Sequence, residues 1–275
     1  MKIIDIPPYR GAGVNYDPKE GHYLVREIVE NMRRKGRLEG VEMDIDDGYP
    51  TEHKGENRDE EILAYITPGF LKRVREVSET GKYDAIVTSG AIEPGFFAGR
   101  MISRIPIAFC VHSAVHVASL IGDRFSIIQA HDPGALMVRH FVELYGLGHK
   151  LASVRYISNP SAAPAQFIRR YALQHQKTER TGVPEIKALI DNVVDAAVTA
   201  IEEDRADSII LGGPYFELLG DEIRQALDEA GYGEIQLVCE LASAVEVAKA
   251  MVNMGLKQAA RAYPSDALKA KPRFR

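Results

Sequence analysis

The sequence predicts an α/β protein of two pseudo-symmetric lobes, each built on a parallel sheet, with a cleft between them. Three observations carry this. Asp84-Ala-Ile-Val-Thr-Ser-Gly90 and Asp207-Ser-Ile-Ile-Leu-Gly-Gly213 share one plan: an aspartate, an apolar run and a closing glycine. Each leads on to a second strand-like run, Ile105-Pro-Ile-Ala-Phe-Cys110 and Ile235-Gln-Leu-Val-Cys239. Each then enters a near-identical stretch, Ser113-Ala-Val-His-Val-Ala118 and Ser243-Ala-Val-Glu-Val-Ala248. Finally, short apolar runs alternate with amphipathic segments along the chain, the pattern of a parallel sheet covered by helices on both faces. On this reading residues 1–112 with 241–275 form one lobe and residues 113–240 the other.

Taken in order, Ile3 to Ile6 is a strand that ends in a Pro/Gly-rich loop through Gly13. Lys19 to Lys35 carries Leu24, Ile28, Val29 and Met32 at helical spacing. Val41 to Ile45 alternates as a strand does. The acidic run at Glu42, Asp44, Asp46 and Asp47 reads as a solvated strand end, not a metal site. Pro50 to Asp59 is a polar loop. Glu60 to Glu79 is helical by period, and Pro68 marks a start or kink. A helix from Phe96 to Ser103 follows the first paired strand, with Pro94 suited to a first turn, where a missing N–H costs nothing. Phe125 to Ala130 is a strand. Asp132 and Pro133 suit the N-cap and first position of a helix to about Tyr145. Ala152 to Ser158 is a strand, Asn159 to Ala165 a loop and Ile186 to Asp204 a long amphipathic helix. Helices from about Glu217 to Ala230 and from Ala242 to Met254 complete the second half. Ala259 to Arg275 reads as a loose tail.

The 275 residues, 45% of them apolar, suffice for a sizeable core. A net charge of −5 with no basic stripe gives no reason to expect nucleic acid. No apolar run approaches the roughly 20 residues that span a bilayer. The chain opens directly on a strand-like segment, so no signal peptide is expected and a cytoplasmic location is. Two cysteines make no disulfide framework, and no Cys/His spacing suggests zinc.

In sheets of this kind ligands sit beyond the carboxyl ends of the strands. The candidates are therefore Tyr9, Arg10, Thr88 to Glu93, Cys110 to Ser113, His131 and Asp132, Gly212 to Phe216, Cys239 and Glu240. Arg10 offers a planar fork to a carboxylate and Ser89 a small donor or acceptor. His131 is a general base if it faces the cleft, or a surface turn histidine if not. Gly11-Ala-Gly13 lacks the third glycine of a dinucleotide loop, since Tyr16 stands there, so nucleotide binding is not expected. Cys110 and Cys239, at matching places by sequence, are either catalytic thiols or small apolar core residues.

The stretches Asp84-Ala-Ile-Val…Glu93-Pro-Gly95, Ile105-Pro-Ile…His116-Val-Ala-Ser-Leu-Ile-Gly-Asp-Arg-Phe-Ser126, Leu151-Ala-Ser-Val-Arg155 and Ala200-Ile-Glu-Glu-Asp204…Ile209-Ile-Leu-Gly212 together resemble the aspartate/glutamate/hydantoin racemase superfamily, closest to its hydantoin racemase branch. The resemblance implies two Rossmann-like lobes, no cofactor or metal, a small-molecule substrate held between the lobes, and a homo-oligomer. It also implies one catalytic cysteine after each central strand, and those positions hold Gly90 and Gly213 here. A related branch, resembling arylmalonate decarboxylase, keeps the second cysteine, which this chain also lacks. Proton transfer next to the carbonyl of a small hydantoin-like or carboxylic acid substrate would then fall to His131, His112, Glu93 or Tyr215; the alternatives are a decarboxylase or hydrolase on the same scaffold, or a non-catalytic small-molecule binding relative. Thr88, Ser89, Gly90, Ala91, Gly212 and Gly213, with Tyr9 and Arg10, would hold the substrate. Each glycine is either a tight turn or a point where the backbone approaches an anionic substrate, favoured by a nearby helix N-terminus. His112 stands near where the hydantoin branch often has glutamate. Glu93 either caps a helix or holds a substrate nitrogen, and Tyr215 and Glu217 could fill the space of the second thiol.

Overall fold

The computed structural model describes residues 1–10, 16–19, 21–51, 60–130, 132–157 and 182–271, with the main chain alone at 132–135. Two four-stranded sheets are present. The first joins β1 (Lys2–Asp5), β2 (Glu42–Ile45), β3 (Ala85–Thr88) and β4 (Ile107–Phe109) in the order β2-β1-β3-β4. The second joins β5 (Phe125–Gln129), β6 (Leu151–Tyr156), β7 (Ser208–Leu211) and β8 (Gln236–Cys239) in the order β6-β5-β7-β8. Every pairing is parallel, so the second sheet repeats the order of the first. The central strands β3 and β7 are buried at every position. Covered on both faces, parallel strands of this kind read as unbroken apolar runs.

The aspartate that opens each repeated motif has a structural cause. The Asp84 carboxylate accepts the Lys2 N–H at 2.6 Å, and the Asp207 carboxylate accepts those of Asp123 and Arg124 at 2.6 and 2.9 Å. Each pins the start of one strand to the start of its neighbour. Gly122 packs so tightly against Asp207 that a Cβ there would lie 2.2 Å from a carboxylate oxygen.

Among the described residues the helices are α1 (Tyr23–Arg34), α2 (Glu60–Glu79), α3 (Phe96–Ile102), α4 (Cys110–Ile121), α5 (Asp132–Leu144), α6 (Pro184–Glu202), α7 (Pro214–Leu218), α8 (Gly220–Glu229), α9 (Glu240–Asn253) and α10 (Asp266–Lys269). α4 follows β4 yet packs on β5, β7 and β8. α9 follows β8 and packs on β3 and β4, and the two helices pack on each other. The sheets are thus joined by an exchanged pair of helices. Burying an apolar side chain in such a seam contributes roughly 1.5–3 kcal/mol, and Val111, Ala114, Val115, Ala244, Val245 and Ala248 are all wholly buried.

Several expectations need correction. Pro68 lies inside α2 and does not start it. Pro94 stands ahead of α3, whose N-cap is Gly95 at φ 60°. Asp132 is the first residue of α5, not its N-cap. The helix expected over Glu217–Ala230 is two, α7 and α8, broken at Leu219. The tail is not loose throughout: the Gln258 amide donates to the Ile107 carbonyl of edge strand β4 at 3.0 Å, Tyr263 stacks under Arg100 at 4.5 Å, and Ser265 caps α10.

Candidate active site

The strand ends hold the chemistry. Gly90 follows β3 and Gly213 follows β7, and both have φ 91°. L side chains seldom adopt that conformation, so glycine here meets a backbone requirement. Around Gly90, among the described residues, only Pro8 comes near, 3.9 Å from where a Cβ would stand. Gly213 is buried, yet apart from its chain neighbours no heavy atom of the described residues lies within 4 Å of that point. A hollow therefore opens beside it. Gly212 is the opposite case: a Cβ there would lie 2.1 Å from the Gln129 amide nitrogen and 2.7 Å from the Ile128 carbonyl oxygen.

The helix N-terminus expected near each glycine is found only once. Gly213 is the N-cap of the five-residue α7, whereas α3 begins well after Gly90, at Phe96.

Two glutamates do the same structural task in the two halves. Oε1 of Glu93 accepts the N–H groups of Val111 and His112 at 2.5 and 3.1 Å, and its Oε2 accepts the Tyr145 hydroxyl. The Glu217 carboxylate accepts the N–H groups of Leu241 and Ala242 at 2.8 and 2.9 Å. Each satisfies donors of a first helical turn that have no partner within the helix, Glu93 at α4 and Glu217 at α9. Burial pushes both carboxyls up to about 7, against the pull of these hydrogen bonds. Neither oxygen of Glu93 is spare, so the residue first considered as a proton-transfer group is a helix cap held at both oxygens. Glu217, expected to fill the thiol's space, caps α9 instead.

His112 stacks with Phe96, His116 and Tyr145, ring centroids 5.0, 4.3 and 5.0 Å away. Burial, with the charges of His116 and Arg100, drives its imidazole down to about 3. It stays neutral and is too weakly basic to abstract a carbon-bound proton at neutral pH. His131, Gly11 and Gly13 lie outside the described residues. Tyr9 is half-buried against the cluster that includes Ala91 and Ile92. Arg10 is exposed, 4.0 Å from Asp47 and 5.9 Å from the Tyr16 ring, its N–H bound to the Tyr49 carbonyl. Among the described residues its contacts include Asp47, Tyr16 and Tyr49, and none of these brings it to the glycines. Tyr215 lies within α7, half-buried and packed against the core cluster that includes Phe216 and Leu218.

The strand registers correct the matching of the cysteines. Thr88 pairs with Phe109 and Leu211 pairs with Cys239, and Thr88 and Leu211 occupy equivalent places. Phe109 therefore corresponds to Cys239, and Cys110, first residue of α4, corresponds to Glu240, first residue of α9. Cys110 is wholly buried, and burial pushes its thiol well up. The carboxyls of Glu240, Glu217, Asp5 and Glu93 push it the same way, so groups from both sheets gather around one sulfur. Cys239 faces elsewhere, onto a 270 Å³ cavity beside edge strand β8 walled by Met32, Lys35, Arg37 and Arg224. Burial raises its thiol too. That cavity includes neither glycine, so it is not where the repeated motifs converge.

The sequence reading gave no role to Asp5 and named Glu240 only as a residue after a strand. Asp5 is wholly buried at the end of β1, and its two oxygens accept the N–H and hydroxyl of Ser89 at 2.7 and 2.8 Å. Burial lifts it to about 7. Glu240 is 1% exposed, and its Oε2 accepts the Gly213 N–H at 3.0 Å. Burial, the Glu217 charge and the Glu93 charge raise it to about 8, against that hydrogen bond. Its Oε1 is buried without a hydrogen-bond partner. The signal was in the repeat: the position matching Cys110 is a glutamate, rarely buried unless paired.

Two parallel sheets, an exchanged helix pair and paired glycines at the central strand ends define a two-lobe α/β protein with its candidate chemistry at the junction. The chain belongs to the Asp/Glu/hydantoin racemase family, whose model matches residues 22–248. It is 27% identical over 192 residues to the hydantoin racemase of Rhizobium meliloti, covering 70% of this chain and 69% of that protein. It is 22% identical over 190 residues to the hydantoin racemase of Pseudomonas sp. (strain NS671), covering 69% of this chain and 66% of that protein, just under two thirds of its length. The structure of allantoin racemase from Pseudomonas fluorescens shares the fold, with a TM-score of 0.72 at 20% identity over 96% of this chain and 97% of that one. Among the described residues no helix is long and apolar enough to cross a membrane, and no His/Cys/Asp/Glu group is arranged to hold a metal ion.

Proposed function

We propose that this chain is a cofactor-independent enzyme of the racemase and isomerase type. Its substrate is a small hydantoin-like ring or carboxylic acid, and it moves a proton on the carbon next to a carbonyl without the usual two thiols. The observation that carries the reading is the pair Gly90 and Gly213. They close the two central strands in the same φ 91° conformation, and a hollow opens where a side chain would stand at Gly213. The hydantoin racemases among its relatives support the ring substrate. Buried carboxyls held near 7 to 8 support proton transfer at neutral pH, since a general acid or base works best near the operating pH. Thr88, Ser89 and Ala91, all buried around the first glycine, would line the substrate's side of that corner. We assign the molecule to the cytoplasm as a homo-oligomer on family grounds.

Solvent deuterium exchange tests this. Incubated in D₂O with 5-substituted hydantoins, allantoin and free amino acids, the protein should wash the hydrogen from the carbon beside the carbonyl, read by proton NMR. Binding of these compounds with no exchange and no turnover would make the chain a binding relative and not an enzyme.

A further inference from the structure

We infer that Glu240 is the proton-transfer group of the second lobe, taking the proton from the carbon beside the substrate carbonyl on Oε1 and returning one to it. The inference rests on the proton-transfer reading above and names the group that would perform it.

Three geometric observations meet at this residue. Its carboxyl is fixed at one oxygen by the Gly213 N–H, 3.0 Å away, so it stands at the corner where a thiol is missing. Its other oxygen is buried and meets no donor, and a buried polar atom without a partner costs about 1–3 kcal/mol. Such an atom calls for an explanation, and a substrate that completes it is one. The hollow beside Gly213 gives the substrate's reacting carbon somewhere to sit. No other carboxyl described at the junction combines these features. Both oxygens of Asp5 are bound by Ser89, both of Glu217 hold α9, and both of Glu93 are taken by α4 and Tyr145.

The step balances without a co-reactant. The C–H bond breaks as an O–H bond forms on Glu240, and the bonding pair moves onto the carbonyl oxygen as an enolate. On return the O–H bond breaks, the carbon regains a hydrogen and Glu240 is again a carboxylate. Nothing is oxidised or reduced. While the enolate is held, the acid proton on Glu240 trades with water, which is how deuterium enters.

The groups facing Glu240 are Glu217 from α7 and Glu93 ahead of α3, whose charges both hold its proton on, and the Gly213 N–H, which favours its loss. The Cys110 thiol of α4 shares this field. The wild-type exchange rate should therefore rise with pH to a plateau, with a midpoint near 8.

Glu240→Gln is the direct test, because it keeps an oxygen for the Gly213 N–H while removing the base. Exchange into a 5-substituted hydantoin should fall at least about 100-fold, the scale of a lost general base. Affinity for the same hydantoin, read by calorimetry, should stay within about threefold. A variant that exchanges as fast as the wild type overturns the assignment of Glu240 and leaves the proposed function standing. A wild-type protein that binds the hydantoin and never exchanges it overturns the proposed function, and the assignment with it. If the variant does not fold, the wild-type profile decides: a midpoint in the ordinary carboxylate range, near 4 to 5, overturns the assignment.

Discussion

The two strand-end corners share one backbone and differ in their chemistry. In the first lobe the residue before the glycine is Ser89, and its N–H is taken by a side chain, the Asp5 carboxylate at 2.7 Å. In the second lobe it is Gly212, and its N–H is taken by main chain, the Ile128 carbonyl at 3.0 Å. The glycines that follow have the same φ. At the first position of the next helix the assignment reverses: Cys110 in the first lobe, a carboxyl at Glu240 in the second. The first corner's carboxyl, Asp5, has both oxygens bound, although the Thr88 hydroxyl beside it is buried without a partner, and the second corner's carboxyl, Glu240, has an oxygen to spare. The fold thus dictates the turn, while the two corners hold their carboxyls in different places, Asp5 at a strand end and Glu240 at a helix start.

The sharpest way to break this comparison is to exchange the residues that differ. Gly212→Ala places a Cβ against both the Gln129 amide and the Ile128 carbonyl, and the carbonyl is backbone and cannot swing away. The expected loss is about 3 kcal/mol or more, in the class of overpacked buried sites, read from urea unfolding. Ser89→Ala in the first lobe should cost only about 1 kcal/mol, one buried hydrogen bond. Equal costs would mean that the corners are not built differently.

Next in size are Gly90→Cys and Gly213→Cys. Both sites need φ 91°, so each substitution should cost roughly 1–3 kcal/mol in backbone strain. Gly213 adds no clash, since the space beside it is open. If these positions are where family members carry thiols, the double variant should gain deuterium exchange on hydantoins. A folded double variant that stays inert on every family substrate would break the alignment of the glycines with those thiols.

The pH dependence is smaller per unit. Burial raises the carboxyls of Asp5, Glu93 and Glu217 to about 7 and that of Glu240 to about 8. Unfolded, they ionise near 4, so between those values the native state holds protons the unfolded state has lost. Stability therefore falls as pH rises from about 5 to 8, by up to about 1.4 kcal/mol per pH unit for each such group. Melting temperatures across that range should drop, and Asp5→Asn and Glu240→Gln should each flatten the fall. A rise in melting temperature over the window would show these carboxyls to be ionised in the native state.

The architecture was legible because a parallel strand buried on both faces must be apolar throughout, and the halves repeat that run with its leading aspartate and closing glycine. Helix ends were less so. A cap supplied from elsewhere in the chain, as Glu93 supplies α4 and Glu217 supplies α9, leaves no mark beside the helix it serves. The cysteines misled because a sequence match through similar apolar runs slips by one residue without penalty, whereas strand pairing does not permit the slip. Arg10 and His112 had suitable chemistry, but a loop partner at Asp47 and a stack of rings decide what each can reach. Glu240 was hidden for the converse reason: a glutamate opening a helix is ordinary on a surface, and only burial makes it significant.

The smallest expected difference is the most discriminating between the lobes. Glu93→Ala and Glu217→Ala each strip two N–H groups of a first helical turn of their acceptor, and each should cost roughly 1–2 kcal/mol by loss of a cap. Glu93 also binds the Tyr145 hydroxyl from the far side of the junction, and burial holds that phenol protonated. Glu93→Ala leaves the hydroxyl stranded and should cost about 1 kcal/mol more than Glu217→Ala. Glu93→Ala with Tyr145→Phe removes both partners and should recover most of that excess. A double variant as unstable as the sum of the singles would place the difference in the first cap itself and not in the tie between the lobes.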